Sequence, residues 1–451
     1  MKTLLFINNR LFLYKFLIYS ILLLIIYQKY VFAQQDTNIL INVEKAIELA
    51  LDNSDIIKSS QENVKTGQAI KQANISKFLP NVYLTHNREE LYNSSYINNN
   101  NYYRIDKINL FKGGSLHYEQ NIFNSLSDIY NLKSAQANLD SLKARFKNDK
   151  ASLIANTINV YQNVIYSRLK LDLSNNQNFL LKKNLHNIEI KWKYGLANTT
   201  DLEEAKAQLS MSEAEIATSE EEKNNSEELF KQIVGINPPN NMKKIILTKE
   251  FSNFDEINQI EKITLKKNKT LIHLQKLYEK SVNDVKAQFG NLGPKVDLYA
   301  VANRKNDVIA QNIYGGTRIG IKVNIPIFHG GIEYANIKLT KSQRESIKFQ
   351  LNNERKKILS KIRYYFWSIN TSKIKINAYK ADIVARNSQN KALKSEYEAG
   401  IKTMIDVIKG EVDLFNSKIR LLQEENIFIE LVVGFHYLIG DLEEIKKISN
   451  N

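Results

Sequence analysis

Residues 321–343, IKVNIPIFHGGIEYANIKLTKSQ, change their period in the middle. Up to Pro326, Ile321, Val323 and Ile325 alternate with Lys322 and Asn324, the spacing of a strand with one apolar face. After Gly330 and Gly331 no Gly or Pro occurs until Gly400. A strand therefore turns straight into a helix of nearly 70 residues, about 100 Å long at 1.5 Å per residue. No compact domain needs such an element. Residues 116–136, LHYEQNIFNSLSDIYNLKSAQ, have the same form and open a second stretch free of Gly and Pro, from Ser125 to Tyr194.

The two stretches belong to a duplicated unit. An offset of 205 aligns Phe123 with Phe328, Gly195 with Gly400, Asp201 with Asp406 and Gly235 with Gly440 without a gap. Upstream, Asn53 matches Asn268 and Pro80 matches Pro294 at offsets of 215 and 214, so the length difference falls in a loop between strands. The expected organisation is a leader at 1–33, a first repeat at 34–245 and a second at 246–451. The first repeat holds a helix, a strand pair about 81–122, a long helix about 125–194 and a helix about 199–234. The second holds a helix about 257–289, a strand pair about 295–326, a long helix about 332–399 and a helix about 403–438. All five prolines fall at element ends, and the Asn-rich 93–103 reads as a hairpin loop.

Charge and composition narrow the function. Lys2, Arg10 and Lys15, then an apolar run from Phe16 to Tyr27, then Val31-Phe32-Ala33 form the pattern of a secretory signal peptide. An uncleaved anchor would need nearer 20 apolar residues. The net charge of +15 falls to +11 on removal of Lys2, Arg10, Lys15 and Lys29. The remaining charges are mixed with acids, as in 201–228, which suits a solvated helical surface and not nucleic acid. The chain contains no cysteine, so disulfides, thiolate metal sites and lipidation of cysteine are excluded. The six histidines have no partner at i+3 or i+4 for a metal pair, and HGG at 329–331 lacks a G-x-S-x-G nucleophile elbow to serve. Neither an enzyme nor a cofactor is expected.

Apolar residues on the long helices recur at three and four: Leu139, Leu142, Phe146, Ile154, Ile158, Tyr161, Ile165 and Leu169, then Ile347, Leu351, Ile358, Ile362, Phe366 and Ile369. Such stripes pack helices side by side in a coiled-coil manner. The strands alternate too: Val296, Leu298, Ala300 and Ala302 oppose Asp297 and Tyr299, with Val82, Leu84, Leu116, Tyr118 and Ile122 as weaker counterparts. Strands with an apolar face in an exported chain suggest an outer-membrane barrel, but four are too few for closure, since single-chain barrels begin at about eight. A trimer would supply twelve and leave the bore open.

The chain resembles the TolC family of outer-membrane efflux and secretion channels over almost all of the mature sequence. The resemblance rests on AIELALDNSD (46–55), FLPNVYLT (78–85), QNIFNS (120–125), YQNVI (161–165), KYGLANTTDLEEAKAQL (193–209), QIVGINP (232–238), NIPIFHGG (324–331), INAYK (376–380) and YEAGIKTMIDV (397–407). It implies a mainly α homotrimer with a small β part: a coiled-coil-like periplasmic tunnel continuing a twelve-stranded barrel in the outer membrane. It also implies docking on a periplasmic adaptor protein that serves an inner-membrane RND or ABC pump. The family gate lies at the helical turns, which in this sequence puts Tyr397, Lys402 and Asp406 after one long helix and Asp201 after the other. Asp406 fits a constricting aspartate, and Lys402 stands as a basic latch residue with Asp201 as partner. Where a second acid is expected beyond Asp406, this chain has Lys409, which would weaken a cation-attracting ring. The plainer reading of Asp201 and Asp406 is an acid near a helix start, and Gly195 and Gly400 read as left-handed helix stops. The competing function is an exported coiled-coil spacer or adhesin stalk; an adaptor is a third reading, disfavoured by the strand pairs.

Overall fold

The computed structural model describes residues 42–92, 96–98, 101–103, 108–245, 256–307 and 312–442. The leader expected at 1–33 lies outside the described residues. Two short helices, α1 (Val43–Asn53) and α2 (Asp55–Ser76), lead into β1 (Asn81–Tyr92). A three-residue ladder, β2 (Tyr96–Asn98) and β3 (Asn101–Tyr103), precedes β4 (Ile108–Asn124), α3 (Ser127–Lys193) and α4 (Thr199–Val234). The order then recurs with α5 (Ile257–Lys267), α6 (Lys269–Gly290), β5 (Lys295–Asp307), β6 (Asn312–Asn324), α7 (Ile332–Glu398) and α8 (Met404–Ile439). Corresponding helices have equal lengths: 67 residues for α3 and α7, 36 for α4 and α8. Among the described residues, no helix is long and apolar enough to cross a membrane.

Two sequence expectations need correction. The helix expected over 257–289 is two helices, because Asn268 takes an extended conformation, accepts from the backbone N–H of Leu271 and caps α6. The cap is fixed from outside, since the Asn268 amide donates to the Leu438 carbonyl oxygen at 2.8 Å. Ser54 breaks α1 from α2 in the same way, and the adjacent Asn53 donates to the Val234 carbonyl oxygen. An Asn or Ser at such a position satisfies a helix N–H that would otherwise lack a partner. The other correction concerns 93–103, where Tyr96 pairs with Tyr103 and Asn98 with Asn101 inside what reads as a polar loop.

The junction from sheet to long helix is a pair of left-handed residues in both halves. Gly330 and Gly331 make it before α7; Ser125 (φ 44) and Leu126 (φ 65) make it before α3, at a steric cost that glycine avoids. Surrounding contacts hold the strained turn. The Ser125 hydroxyl donates to the Pro294 carbonyl oxygen and that of Ser127 to Asn291. The His329 ring is hydrogen-bonded to the Glu333 carboxylate at the start of α7, which gives the HGG segment a structural use.

The four long strands form one antiparallel sheet in the order β1-β4-β5-β6. Its register sorts the side chains by face. Val82, Tyr118, Ala300 and Ile319 lie in one row, and Leu84, Leu116, Ala302 and Thr317 in the next. Leu84 and Ile319 are each 75% exposed, so nothing among the described residues covers this apolar face. The opposite face is polar: Tyr83 stacks on His117 and donates to Glu119, and Lys305 approaches Glu89. Both edges, β1 and β6, lack a partner strand among the described residues.

Three apolar clusters hold the helices. One packs Ile47 of α1 and Phe230 of α4 against Ile154, Ile158 and Tyr161 of α3. Another packs Val432 and Phe435 of α8 against Ile362 and Ile369 of α7. Because Ile429 and Val433 of α8 face the first cluster, α8 joins the two halves. Between α3 and α4 the seam is polar, with Ser167 bonded to Ser226, Ser174 to Ser219 and Asn178 to Ser212. Ser212, Ser219 and Ser226 recur every seven residues, so small hydroxyl pairs occupy a heptad seam and let the helices approach closely. By contrast α7 leaves Phe349, Tyr364, Trp367, Ile374 and Val384 exposed.

Candidate functional site

The far end of the helical body is made by the turns α3–α4 and α7–α8. Each long helix stops in a Schellman motif. Leu196 N–H donates to the Lys191 carbonyl and Gly195 N–H to that of Trp192; Ile401 and Gly400 do the same with Glu396 and Tyr397. Gly195 (φ 70) and Gly400 (φ 74) take the left-handed position that these motifs require, as the sequence predicts.

Asp406 is the third residue of α8 and half of a capping box. Its carboxylate accepts from the Thr403 backbone N–H at 3.0 Å and from the Thr403 hydroxyl, while its own N–H donates back to that hydroxyl. The Thr403 backbone N–H, the hydroxyl bond, and then the charges of Lys402 and Lys409 lower its pKa. The cap is therefore intact at neutral pH and is lost only as pH falls through this depressed value. Asp201 holds the matching place in α4, but there the N-cap Asn198 makes no side-chain cap bond. Among the described residues, Lys402 and Asp201 form no ion pair with each other.

Lys409 is committed elsewhere. Its ammonium lies 3.1 Å from Glu204 of α4, so α4 and α8 are bridged just above the turns. Beneath this pair Leu202 and Ala205 pack on Ile405 and Ile408, with Leu181 and Ile188 of α3. Tyr397 is also engaged, its ring lying 4.2 Å below the Lys191 ammonium at the end of α3. One turn further in, the buried carboxylate of Glu411 accepts from Asn184 of α3 and from Lys394 of α7, both at 2.7 Å. Four helices thus converge on the turns through charged and aromatic contacts.

Residues 262–428, running from α5 to α8, match the model of a family described as outer membrane efflux protein. The chain is 24% identical over 417 residues to outer membrane protein TolC of Escherichia coli K12, covering 89% of this chain and 82% of the relative. The chain is thus similar to outer membrane efflux proteins over most of its length. The outer membrane protein VceC of Vibrio cholerae has the same fold, with a TM-score of 0.78, 16% identity and coverage of 88% of this chain and 96% of that one. The CmeC outer membrane channel of Campylobacter jejuni aligns with a TM-score of 0.77 at 15% identity, covering 90% and 89%.

The structure brings Asp406, Lys409, Tyr397, Lys402 and Asp201 to one end, with no ion pair between Lys402 and Asp201 among the described residues. Sequence reasoning missed Glu204, Lys191 and Glu411. Glu204 was within reach, because the offset of 205 aligns it with Lys409. A position that is acidic in one half and basic in the other, on adjacent helices, is a candidate ion pair.

Proposed function

We propose that this protein is the exit duct of a tripartite efflux pump or a type I secretion system, a passive homotrimeric channel in the outer membrane. The observation that carries the reading is the four-stranded sheet, apolar and uncovered on one face and polar on the other, with both edges open. An isolated sheet of this kind is not stable in water. Three copies joined edge to edge satisfy every strand, place the apolar face against lipid and turn the polar face to a lumen. The exposed aromatic residues of α7 would then meet neighbouring copies in a tunnel of helices. A coiled-coil spacer or stalk has no use for such a sheet.

In this reading the chain comprises two repeats, 34–245 and 246–451, following a leader at 1–33. A periplasmic adaptor serving an RND or ABC pump receives cargo inside and docks on the helical body, and the tunnel delivers the cargo outside without chemistry. The gate is assigned to Asp406, Lys402, Lys409, Tyr397 and Asp201, with Gly195 and Gly400 shaping the turns. Lys402 and Asp201 would act between protomers. Lys409, paired with Glu204, would hold α4 against α8 within one protomer.

The test is single-channel recording of the purified protein in a planar bilayer. Discrete conductance steps, small and mostly closed, are expected. Folded trimers that never conduct would refute the duct.

A further inference from the structure

We propose that the lipid-facing side of the sheet carries a site for the phosphate-bearing headgroup of an outer-leaflet lipid, centred on Arg304 and Lys112. The inference rests on the membrane reading above. It begins with height: β5 leaves the helical body at Lys295, and Arg304 stands nine residues on. At about 3.3 Å per residue and a tilt of about 40°, that is roughly 23 Å along the membrane normal, the far boundary of an apolar band about 25 Å tall. Leu84, Ala302 and Ile319 lie below it on the same face.

At that boundary two rows of the outward face turn cationic. The register puts His86, Gly114, Arg304 and Gly315 in one row, with Arg88 opposite Lys112 in the next. Lys112 is a diagonal neighbour of Arg304, about 7–8 Å away. Neither enters an ion pair among the described residues. The lumenal face at the same height is different, since Lys305 there lies 3.6 Å from Glu89. At this height Arg304 and Lys112 on the side that meets lipid are thus in no ion pair among the described residues, whereas Lys305 on the lumenal side is.

The glycines beside Arg304 supply the second argument. A Cβ on Gly114 would come no closer than 3.5 Å to another atom, the Thr85 carbonyl oxygen, and one on Gly315 no closer than 3.4 Å, to that of Asn303. Neither glycine has positive φ. Backbone crowding therefore does not explain them, in contrast to Gly113, whose Cβ would lie 2.7 Å from the Arg304 carbonyl oxygen. Glycine also weakens a strand. What the pair does is leave a bare floor on both sides of the Arg304 side chain, a hollow open to lipid with a guanidinium in it and an ammonium at its rim. A phosphate monoester fits that chemistry, taking a bidentate bond from arginine and a point charge from lysine.

The site is tested with purified trimers in mixed micelles containing either lipid A or its dephosphorylated form. Bound lipid per trimer is counted by native mass spectrometry, and bilayer insertion is scored separately. Wild type is expected to prefer the phosphorylated lipid by tenfold or more. The double variant Arg304→Gln, Lys112→Gln should lose roughly 25-fold in affinity, about fivefold per cation. Gly315→Leu, which keeps every charge but fills the hollow, should lose most of the preference while still inserting and conducting. Equal affinity for the two lipids, an undiminished double variant, or equal occupation by inorganic phosphate would overturn the headgroup site while the channel stands. If wild-type trimers fail to insert, the membrane reading fails and the site with it.

Discussion

Replacing Gly440 by alanine is expected to destabilise the protein by about 3–5 kcal/mol, the largest loss at any helix end. Gly440 closes α8 with φ 90, which costs an L-residue about 1–2 kcal/mol. A Cβ there would also sit 2.6 Å from the Lys267 carbonyl oxygen and 3.0 Å from its carbon. Those are backbone atoms at the α5–α6 break, and they cannot rotate away. Moving them strains the buried Asn268, whose amide bonds Leu438 and whose oxygen caps Leu271. Two other left-handed glycines supply controls. A Cβ on Gly235 would meet only the Asn53 side chain, and one on Gly400 would meet nothing within 4 Å. The midpoints of heat-induced unfolding in detergent, at one scan rate, should therefore fall in the order Gly400→Ala, Gly235→Ala, Gly440→Ala, with the last lowest. Similar midpoints for Gly400→Ala and Gly440→Ala would mean that the contact with Lys267 is not what the glycine serves.

Substituting Lys409 by glutamate should open the channel. The change sets a carboxylate against Glu204, where the native ammonium stands 3.1 Å away, and turns an attraction between α4 and α8 into repulsion. The pair is partly exposed, so each is worth no more than about 1 kcal/mol. Three in a trimer that moves as a unit shift the closed-to-open balance by about tenfold or more. The exchange Glu204→Lys with Lys409→Glu restores the pair and should restore closure. Both variants place a glutamate at position 409 in each of three chains, so both should gain block by multivalent cations that the wild type lacks. Gating and block then separate in one set of recordings. If the exchange leaves the channel as open as the single substitution, the Glu204–Lys409 pair is not a latch.

Periodicity made the architecture legible. Ile321 and Val323 alternate with Lys322 because one face of β6 is apolar, and the run from Ile332 to Ala399 lacks helix breakers because α7 is a single helix. The left-handed turns at Gly195 and Gly400 were equally plain, since few other residues accept that conformation. Local breaks were hidden. Asn268 interrupts a helix only because Leu438 holds its side chain from 170 positions away. Ser125 and Leu126 carry positive φ with no glycine to announce it, held by contacts from Pro294 and Asn291. At the turns, the Thr403-x-x-Asp406 spacing already contained the capping box. The Lys409–Glu204 contact required knowing that α4 and α8 converge there.

The claim on which the rest depends is that β1 of one chain pairs with β6 of the next until three chains close. Because the sequence contains no cysteine, oxidation of introduced pairs reports this without background. Leu84→Cys on β1 would be combined in turn with Ile319→Cys, Ile321→Cys and Val323→Cys on β6, since closure staggers the strands by a shear that one chain does not reveal. Within a chain these positions lie at opposite edges of the sheet and cannot meet. The account predicts that one pairing gives disulfide-linked species ending sharply at the trimer on a denaturing gel. Only monomers in every combination, or a ladder running past three, would contradict it.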